Sequence, residues 1–269
     1  MLRLQLVRTL ALILGGFLSL TSAAAITCHA DPDGDSTAIT IRAMPSERSP
    51  ILESVPSAAV ANLTKLNARA ERKGDWVQVA HGPVKGWVKG GRLICPVSSE
   101  EARAIIEPVG SRALQALRSR DMASLAGLVH PVKGVRFSPY SFIDAKADER
   151  LTGKEIRRAL IDQRVRKWGT YDGSGKPIRL TFSNYYKRFI YDREFAGKST
   201  VTYNADPAVR GNTKDNSRAE YPSGIVVEAF VPGSAPEREG SDYRSLRLIF
   251  EQHLGAWYLV HVVHDQWTI

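Results

Sequence analysis

Cysteine is scarce in this chain of 269 residues, which has two, and two common catalytic motifs are missing. The sequence lacks the His-Glu-x-x-His pair, the spacing by which two histidines on one helix face share a zinc ion. It also lacks the Gly-x-Ser-x-Gly frame of a nucleophile elbow, so Ser174 is expected in an ordinary turn. No metal site, no cofactor and no serine nucleophile are therefore predicted.

Long apolar runs are absent beyond the first residues of the chain. Residues 10–20 are apolar, about half of the roughly 20 residues that a membrane helix needs. Arg3 and Arg8 precede this run and three alanines ending at Ala25 follow it, which is the three-part pattern of a secretory signal peptide. We predict a signal peptide over residues 1–25, cleaved near Ala25. The mature chain is then soluble, without a transmembrane segment, and periplasmic or secreted.

The two cysteines, Cys28 and Cys95, bracket the segment after the predicted cleavage point. Export places them where thiols oxidise, so we predict a disulfide between them. A bond that closes so long a loop is worth about 4 kcal/mol in the simple chain model, and it removes both thiols from catalysis. Lipid attachment at Cys28 is the less favoured alternative, because Thr27 is bulkier than such processing sites accept.

Acidic residues are outnumbered, with 28 Asp and Glu against 37 Lys and Arg, for a formal net charge of +9. A basic excess favours anionic surfaces, and those outside the cytoplasm are cell-wall polymers and lipid head groups. Nucleic acid is not an expected partner there. The mature length of about 240 residues is comfortable for two domains.

Residues 26–97 carry the pattern of short β-strands. Apolar and polar residues alternate over 38–42 and 75–80, and a Gly82-Pro83 turn precedes Gly-Trp-Val at 86–88, which predicts a small barrel of meandering strands. The order Ile-Thr-Ile-Arg-Ala-Met-Pro-Ser, Gly-Asp-Trp-Val-Gln-Val, Gly-Trp-Val resembles the bacterial SH3 family. That resemblance implies a compact barrel and, in exported proteins, recognition of cell-wall peptide. Residues 57–65 depart from the family pattern, where a glycine-containing turn is usual.

Two tryptophans are the candidate binding residues of this first domain. Strand alternation places Trp76 opposite Val77 and Val79, and Trp87 opposite Val88. With the valines inside, both rings face at least partly outward. Two interpretations stay open: packing against a neighbouring loop or domain, and a groove for cell-wall peptide or another envelope protein.

Residues 98–269 predict helices first and an antiparallel sheet last, which is a two-layer α+β arrangement. Three helix starts have capping residues, at Ser98 with Glu101, at Asp121, and at Thr152 with Glu155. Pro108 and Gly110 are expected to bend or split the first helix. Strands are predicted over residues 224–231, 244–252 and 257–265.

The stretch LQALRSRDMASLAGLVHPVKGVRFSPY, together with SLRLIFEQHLGAWYLVHVV, resembles the nuclear-transport-factor-like group. That resemblance implies a cone-shaped domain, in which a curved sheet wraps around helices and ligands bind on the concave side. The segments HPVKGVRFSPYSFID, KWGTYDGSGKP and TFSNYYKRFIYD are similar to an uncharacterised family of exported bacterial proteins over nearly all of residues 98–269. This second resemblance implies export and no activity.

Polar residues of the last strand are the candidates for catalysis. A period of two places His261 and Asp265 on one face with Trp257, and His264 on the other. His261 as a base with Asp265 as its carboxylate, joined by Arg136, would make an acid/base site in the cone. Residues four apart on a strand are about 13 Å apart at the backbone, so a direct hydrogen bond is doubtful and a structural role is favoured. Glu228 and Tyr140 are the alternatives to Arg136 in the acid/base site.

Aromatic residues offer a different function. The candidates for a cleft that binds sugar or peptide are Tyr140, Tyr171, Tyr203, Tyr221 and Trp168. Tyr185 and Tyr186 are further candidates, although tyrosines that form a stripe on a helix are more often part of a core. The sequence thus favours an exported accessory or binding protein that is not an enzyme. The alternative is an extracytoplasmic enzyme that uses His261, Asp265 and Arg136.

Overall fold

The computed structural model describes residues 26–30, 38–56, 63–65, 76–94, 97–206, 214–234 and 240–268. The predicted signal peptide and Cys95 lie outside these ranges, as does most of the departure from the SH3 pattern at 57–65. Among the helices within these ranges, none has the length and apolar character to cross a membrane.

The first part of the chain forms one antiparallel sheet. Its strands are β1 Ile26–Ala30, β2 Ala38–Arg42, β3 Ile51–Pro56, β4 Leu63–Lys65, β5 Trp76–His81, β6 Val84–Lys89 and β7 Leu93–Ile94. They lie in the order β3-β2-β6-β5-β4-β1-β7. The strands predicted at 38–42 and 86–88 are confirmed, and the strand predicted at 75–80 is confirmed from Trp76 onward, Asp75 lying outside the described residues. The turn at Gly82, which has a φ of +54°, is also confirmed.

Alternate residues of these strands fill the core of the sheet. Ile39, Ile41, Val79 and Val88 are buried there together. Gly86 lies in β6 beside the end of β2, with which β6 pairs. A Cβ on it would be 2.5 Å from the carbonyl oxygen of Arg42 and 2.6 Å from Cγ2 of Ile41. The close approach of the two backbones therefore requires glycine at this position.

β1 and β7 meet in a short antiparallel ladder. His29 lies opposite Ile94, so the ladder pairs the residue after Cys28 with the residue before Cys95. Cys28 itself is fully buried. The bond between Cys28 and Cys95 stays a prediction, which this ladder favours.

The second part of the chain is a mixed α+β unit, as predicted. Its helices are α1 Ser99–Ser119, α2 Met122–Leu128, α3 Gly153–Arg158, α4 Phe182–Phe189, α5 Phe195–Lys198 and α6 Ser217–Glu220. Its main sheet has the strands β8 Val135–Ser138, β9 Glu149–Leu151, β12 Thr200–Tyr203, β13 Ile225–Val231, β14 Arg244–His253 and β15 Ala256–Gln266. A separate hairpin joins β10 Arg166–Thr170 to β11 Pro177–Leu180.

The main sheet has the order β12-β13-β14-β15-β8-β9. Its neighbours are antiparallel, except that β15 and β8 run parallel, with His261 beside Arg136. All three predicted strands near the end of the sequence are confirmed, as β13, β14 and β15. The parallel pair was not predicted, because β8 is short and far from β15 in sequence.

The predicted helix starts are also confirmed. Ser98 with Glu101 and Thr152 with Glu155 form capping boxes, and the side chain of Asp121 accepts from two backbone N–H groups at the start of α2. Pro108 and Gly110 were expected to bend or split α1; the splitting is wrong, since the helix is continuous from Ser99 to Ser119, and a bend stays a prediction. Tertiary packing outweighs the lost hydrogen bond of the proline.

One face of the main sheet is covered by helices and filled with aromatic rings. The indole of Trp168 stacks on Tyr185 with ring centroids 4.1 Å apart, and Phe137 meets Phe182 edge to face with ring centroids 5.8 Å apart. Trp168, Tyr185 and Tyr186 are all buried in this core. On the helix-covered side these aromatic rings therefore form part of a closely packed core.

The opposite face of the sheet is covered by loops. A small apolar cluster there joins Ile143, Ile249, Val260 and Val263. The register of β15 against β14 shifts between His261, which lies opposite Ile249, and Leu259, which lies opposite Phe250. Such a bulge moves later side chains to the other face.

The bulge corrects one expectation. Trp257 does not share the face of His261, because it packs against the helix-side core. Strand alternation holds from His261 to Asp265, and it fails across the extra residue of the bulge.

Candidate functional site

A buried polar network lies on the loop-covered face of the sheet, around His261. Ser138 Oγ lies 2.8 Å from Nε2 of His261, and it donates to Oδ2 of Asp148 at 2.5 Å. On the other side of the ring, the hydroxyl of Tyr221 lies 2.9 Å from Nδ1. Four residues from β8, β15 and two loops therefore form one chain of hydrogen bonds.

The donors in this chain are fixed by the carboxylate at its end. Asp148 Oδ2 also accepts from the backbone N–H of Asp144 at 3.1 Å. A carboxylate only accepts hydrogen bonds, so the hydroxyl proton of Ser138 must point to Asp148 and is not available to His261. We therefore assign the proton of His261 to Nε2, so that Nε2 donates to Ser138 and Nδ1 accepts from Tyr221. The chain of donors runs from Tyr221 inward to Asp148.

Burial decides the charge state of this network. His261 is fully buried, and burial lowers its pKa below the ordinary value of 6.5, although the carboxylate of Asp148 acts in the opposite direction. Burial also raises the pKa of Tyr221. Both groups are consequently neutral at pH 7, His261 as imidazole and Tyr221 with its proton.

The network is not arranged as a nucleophilic triad. In a triad the serine and the carboxylate use different nitrogens of the histidine. Here Asp148 Oδ2 lies 3.4 Å from Nε2 of His261, the nitrogen that Ser138 also contacts. Because Ser138 is fully buried, it has no access to a substrate, and the network positions Tyr221 instead.

The structure does not bring His261 and Asp265 into contact as the predicted dyad. The carboxylate at His261 is that of Asp148, while Asp265 Oδ2 lies 3.8 Å from Nη2 of Arg247 and its Oδ1 accepts from the hydroxyl of Tyr243 at 3.4 Å. The reason is the rise of the strand, about 3.3 Å per residue, which separates residues four apart.

Arg247 is a buried cation that fixes the loops over this face. Its guanidinium forms an ion pair with Asp215, and Nη2 donates to Ser141 Oγ at 2.6 Å. Its Nε is buried without a partner among the described residues. Two carboxylates, Asp215 and Asp265, compensate the buried charge, so this cluster is a structural one.

A pocket of about 300 Å³ opens beside the network. Its lining consists of basic residues, one carboxylate, one phenol and one aliphatic side chain: Lys133, Arg136, Arg150, Glu251, Tyr221 and Val260. Tyr221 therefore belongs both to the pocket wall and to the buried chain. The predicted residue Arg136 lies in this pocket, and His261 lies behind Tyr221.

The charges of the pocket do not cancel. Lys133 pairs with Glu251 at 3.0 Å. Arg136 Nη1 donates to the carbonyl oxygen of Asp148 at 2.9 Å, and Arg150 Nη1 donates to that of Lys133 at 3.0 Å. Among the described residues, neither guanidinium has a carboxylate within ion-pair distance. The pocket therefore carries an excess positive charge.

The other candidates from the sequence lie elsewhere. The hydroxyl of Tyr140 accepts from the backbone N–H of Asp172 at 3.3 Å, and the ring of Tyr171 lies under the guanidinium of Arg188 at 4.8 Å. Both tyrosines border the helix-side core. Glu228 accepts from Ser245 Oγ at 2.6 Å, and the structure does not bring it to the pocket.

The two tryptophans of the first sheet share one face. Trp76 pairs with Lys89 across β5 and β6, and Trp87 pairs with Gln78, so the two rings are diagonal neighbours. Both are half-buried, while Val79 and Val88 are buried on the other face. The predicted alternation of valine and tryptophan is confirmed.

From the sequence, Tyr221 was a candidate only for an aromatic cleft and not for contact with His261, and Ser138 and Asp148 were not identified. None of them stands at a spacing from His261 that indicates contact, because two of the three lie in loops and the third reaches His261 through the unpredicted parallel pair. His264 has a similar unforeseen partner, since its Nε2 lies 3.3 Å from Asp192 Oδ1. The described residues contain no cluster of three or more His, Cys, Asp or Glu that could hold a metal.

Comparison with known proteins adds one weak likeness. No protein-family model matches the sequence, and no curated protein matches it. Among solved structures, the chain is similar to a designed nuclear-transport-factor-like protein at a TM-score of 0.26 and 12% identity, over 59% of this chain and 94% of the other.

Proposed function

We propose that this protein is an exported accessory protein that binds and does not catalyse, with an anion-binding pocket in its α+β domain. The sequence resemblances supply the setting: an SH3-like module that docks on cell-wall peptide or an envelope protein, and a cone-shaped domain that holds a ligand. The geometry of the α+β domain supplies the ligand chemistry.

The observation that carries the proposal is the pair of guanidiniums in the pocket. Arg136 and Arg150 contribute one N–H each to backbone carbonyl oxygens, which leaves the remaining donors for a ligand. Planar guanidinium groups match the oxygens of carboxylate and phosphate in a two-pronged geometry. A small carboxylate or phosphate group is therefore the ligand that the pocket favours.

The wall of the pocket is rigid where the ligand would lie. Tyr221 is held by Nδ1 of His261, and Arg136 is tied to the backbone of Asp148. Groups that are fixed before binding lose less conformational entropy when a ligand arrives. The buried network thus serves binding by preorganising the residues in front of it.

The test measures binding of inorganic phosphate and of acetyl-alanine by calorimetry at low salt. We expect saturable binding of at least one anion, weakened about tenfold or more in Arg136→Gln, since a charged hydrogen bond is worth roughly 1.5–3 kcal/mol. Arg164→Gln is the matched control, because Arg164 is exposed and pairs with Asp162 outside the pocket. Absence of saturable binding of either anion would refute the anion pocket.

The alternative function is an extracytoplasmic enzyme, and one observation favours it. The chain from Asp148 through His261 ends at Tyr221 in the pocket, so a proton has a route to the ligand. His261 is fully buried and does not contact the pocket itself. Acid/base chemistry at this site would have to pass through Tyr221, and Asp265 would take no part.

A further inference from the structure

The turn between β14 and β15 breaks two local rules. Leu254 and Gly255 have φ values of +49° and +82°, the backbone of a two-residue turn that favours Asn-Gly. A leucine is strained in this region. Its side chain is also 93% exposed. The turn therefore combines an unfavourable backbone conformation with a solvent-exposed apolar side chain.

A second apolar residue stands at the same end of the sheet. Val132 is 70% exposed in the turn between α2 and β8. The two turns are held together, because the rings of His130 and His253 lie 4.9 Å apart and Lys133 pairs with Glu251 at 3.0 Å. Leu254 and Val132 are thus two apolar tips on neighbouring turns.

The basic pocket adjoins these tips. Lys133 follows Val132 directly, and Arg150 donates to the carbonyl oxygen of Lys133 at 3.0 Å. Three cations and a single carboxylate line the pocket. Apolar side chains that project beside a surface with an excess of cations, here Arg136 and Arg150, are the combination that binds anionic membrane surfaces.

We propose that this end of the α+β domain docks on an anionic lipid bilayer. Leu254 and Val132 enter the boundary between head groups and acyl chains, and the pocket receives a head-group phosphate. The proposal rests on the anion pocket proposed above and names the source of its anion. A protein groove is a poorer match, since the two apolar residues project singly from turns and the charge around them is positive.

The experiment uses vesicles of phosphatidylcholine with and without phosphatidylglycerol, and the chain from Ile26 onward. We expect co-sedimentation with the phosphatidylglycerol vesicles that weakens as salt increases. Leu254→Asn should lower this affinity by roughly tenfold, because a leucine side chain no longer enters the bilayer. The variant should melt no lower than the parent, since asparagine accepts the positive φ of this turn.

Ile161→Ser is the matched control, because Ile161 is 71% exposed and lies in the loop after α3, outside the pocket. Equal vesicle binding by the parent and by Leu254→Asn would overturn the proposal. Binding of free phosphate without binding to vesicles would also overturn it and would leave the anion pocket standing. Self-association that Leu254→Asn abolishes, without vesicle binding, would replace the bilayer by a second copy of the chain.

Discussion

The hydroxyl of Tyr221 lies 2.9 Å from Nδ1 of His261, so one hydrogen bond joins the wall of the pocket to a fully buried histidine. Removal of the histidine therefore has two separable effects, one on the stability of the fold and one on the position of Tyr221. Removal of Arg136 takes away neither hydrogen bond of His261, although it removes a donor from the carbonyl oxygen of Asp148.

His261→Asn is expected to cost about 1–3 kcal/mol of unfolding free energy, the scale for a buried polar group left without its partner. The cellular role should be largely retained, since the donors proposed to bind the anion belong to Arg136 and Arg150 and not to His261 or Tyr221. The measurement is a thermal melt alongside complementation of a deletion strain. Complete loss of the role in a variant that melts normally would contradict this and would favour the enzyme.

Stability should fall as the solution becomes acidic. Burial lowers the pKa of His261 below its ordinary value of 6.5, so the unfolded chain takes up a proton that the folded chain refuses. The contribution is present above the unfolded pKa and is lost as the pH falls toward the folded one. Melts between about pH 7.5 and about pH 5.5 should show a smaller decline in His261→Asn than in the parent. An identical decline would rule out His261 as the source.

Gly86→Ala and Gly127→Ala should change stability in opposite directions. The Cβ at residue 86 would meet the Arg42 carbonyl oxygen at 2.5 Å, and overpacking of this kind costs about 1–3 kcal/mol. Gly127 lies in α2 with open space around it, so alanine there should stabilise by about 0.5–1 kcal/mol. Chemical denaturation measures both, and a neutral Gly86→Ala would show that β2 and β6 separate easily.

Changing both Trp76 and Trp87 to alanine tests the docking role of the first domain. The paired variant should bind isolated cell wall more weakly, by a larger factor than its melting temperature explains, because the two rings share one half-buried face. Gln78→Ala, on the same face, is the control. Equal retention of parent and paired variant on cell wall would remove the peptide-docking role.

Thiol titration tests the predicted disulfide. The protein, unfolded without reductant, should show no reactive thiol, because the predicted export to an oxidising compartment and the pairing of His29 with Ile94 both favour the bond. The reduced protein should show both thiols. Two reactive thiols before reduction would exclude the bond.

Local patterns predicted the elements of this fold well. Capping residues at Ser98, Asp121 and Thr152 marked three helix starts, and alternation marked β13 to β15, because these features depend on residues close in sequence. The sequence did not show which face of the sheet is covered by helices and which by loops. Alternation shows that His261 and Asp265 share a face, and it does not show whether helices or loops cover that face.

The partners of His261 were beyond prediction for a related reason. Tyr221 and Asp148 lie in loops that are placed by Arg247 and by the apolar cluster around Ile143, and neither has a spacing that identifies it. Arg136 was predicted only as one of several polar residues that could join His261 in the cone, and its contact with Asp148 was not foreseen. The pocket around it could not be predicted, because its lining comes from segments that are distant in sequence, around residues 133–150, 221 and 251–260.

The parallel pairing of β8 with β15 has a consequence for how the domain forms. Ser138 and His261 are separated by 123 positions in sequence, and β15 lies inside the sheet between β14 and β8. The sheet therefore stays incomplete until the ribosome has made β15, and closing so distant a contact is slow. For a chain predicted to pass through a secretion channel, slow closure of this sheet would keep the α+β domain unfolded, and therefore able to enter the channel, until export has begun.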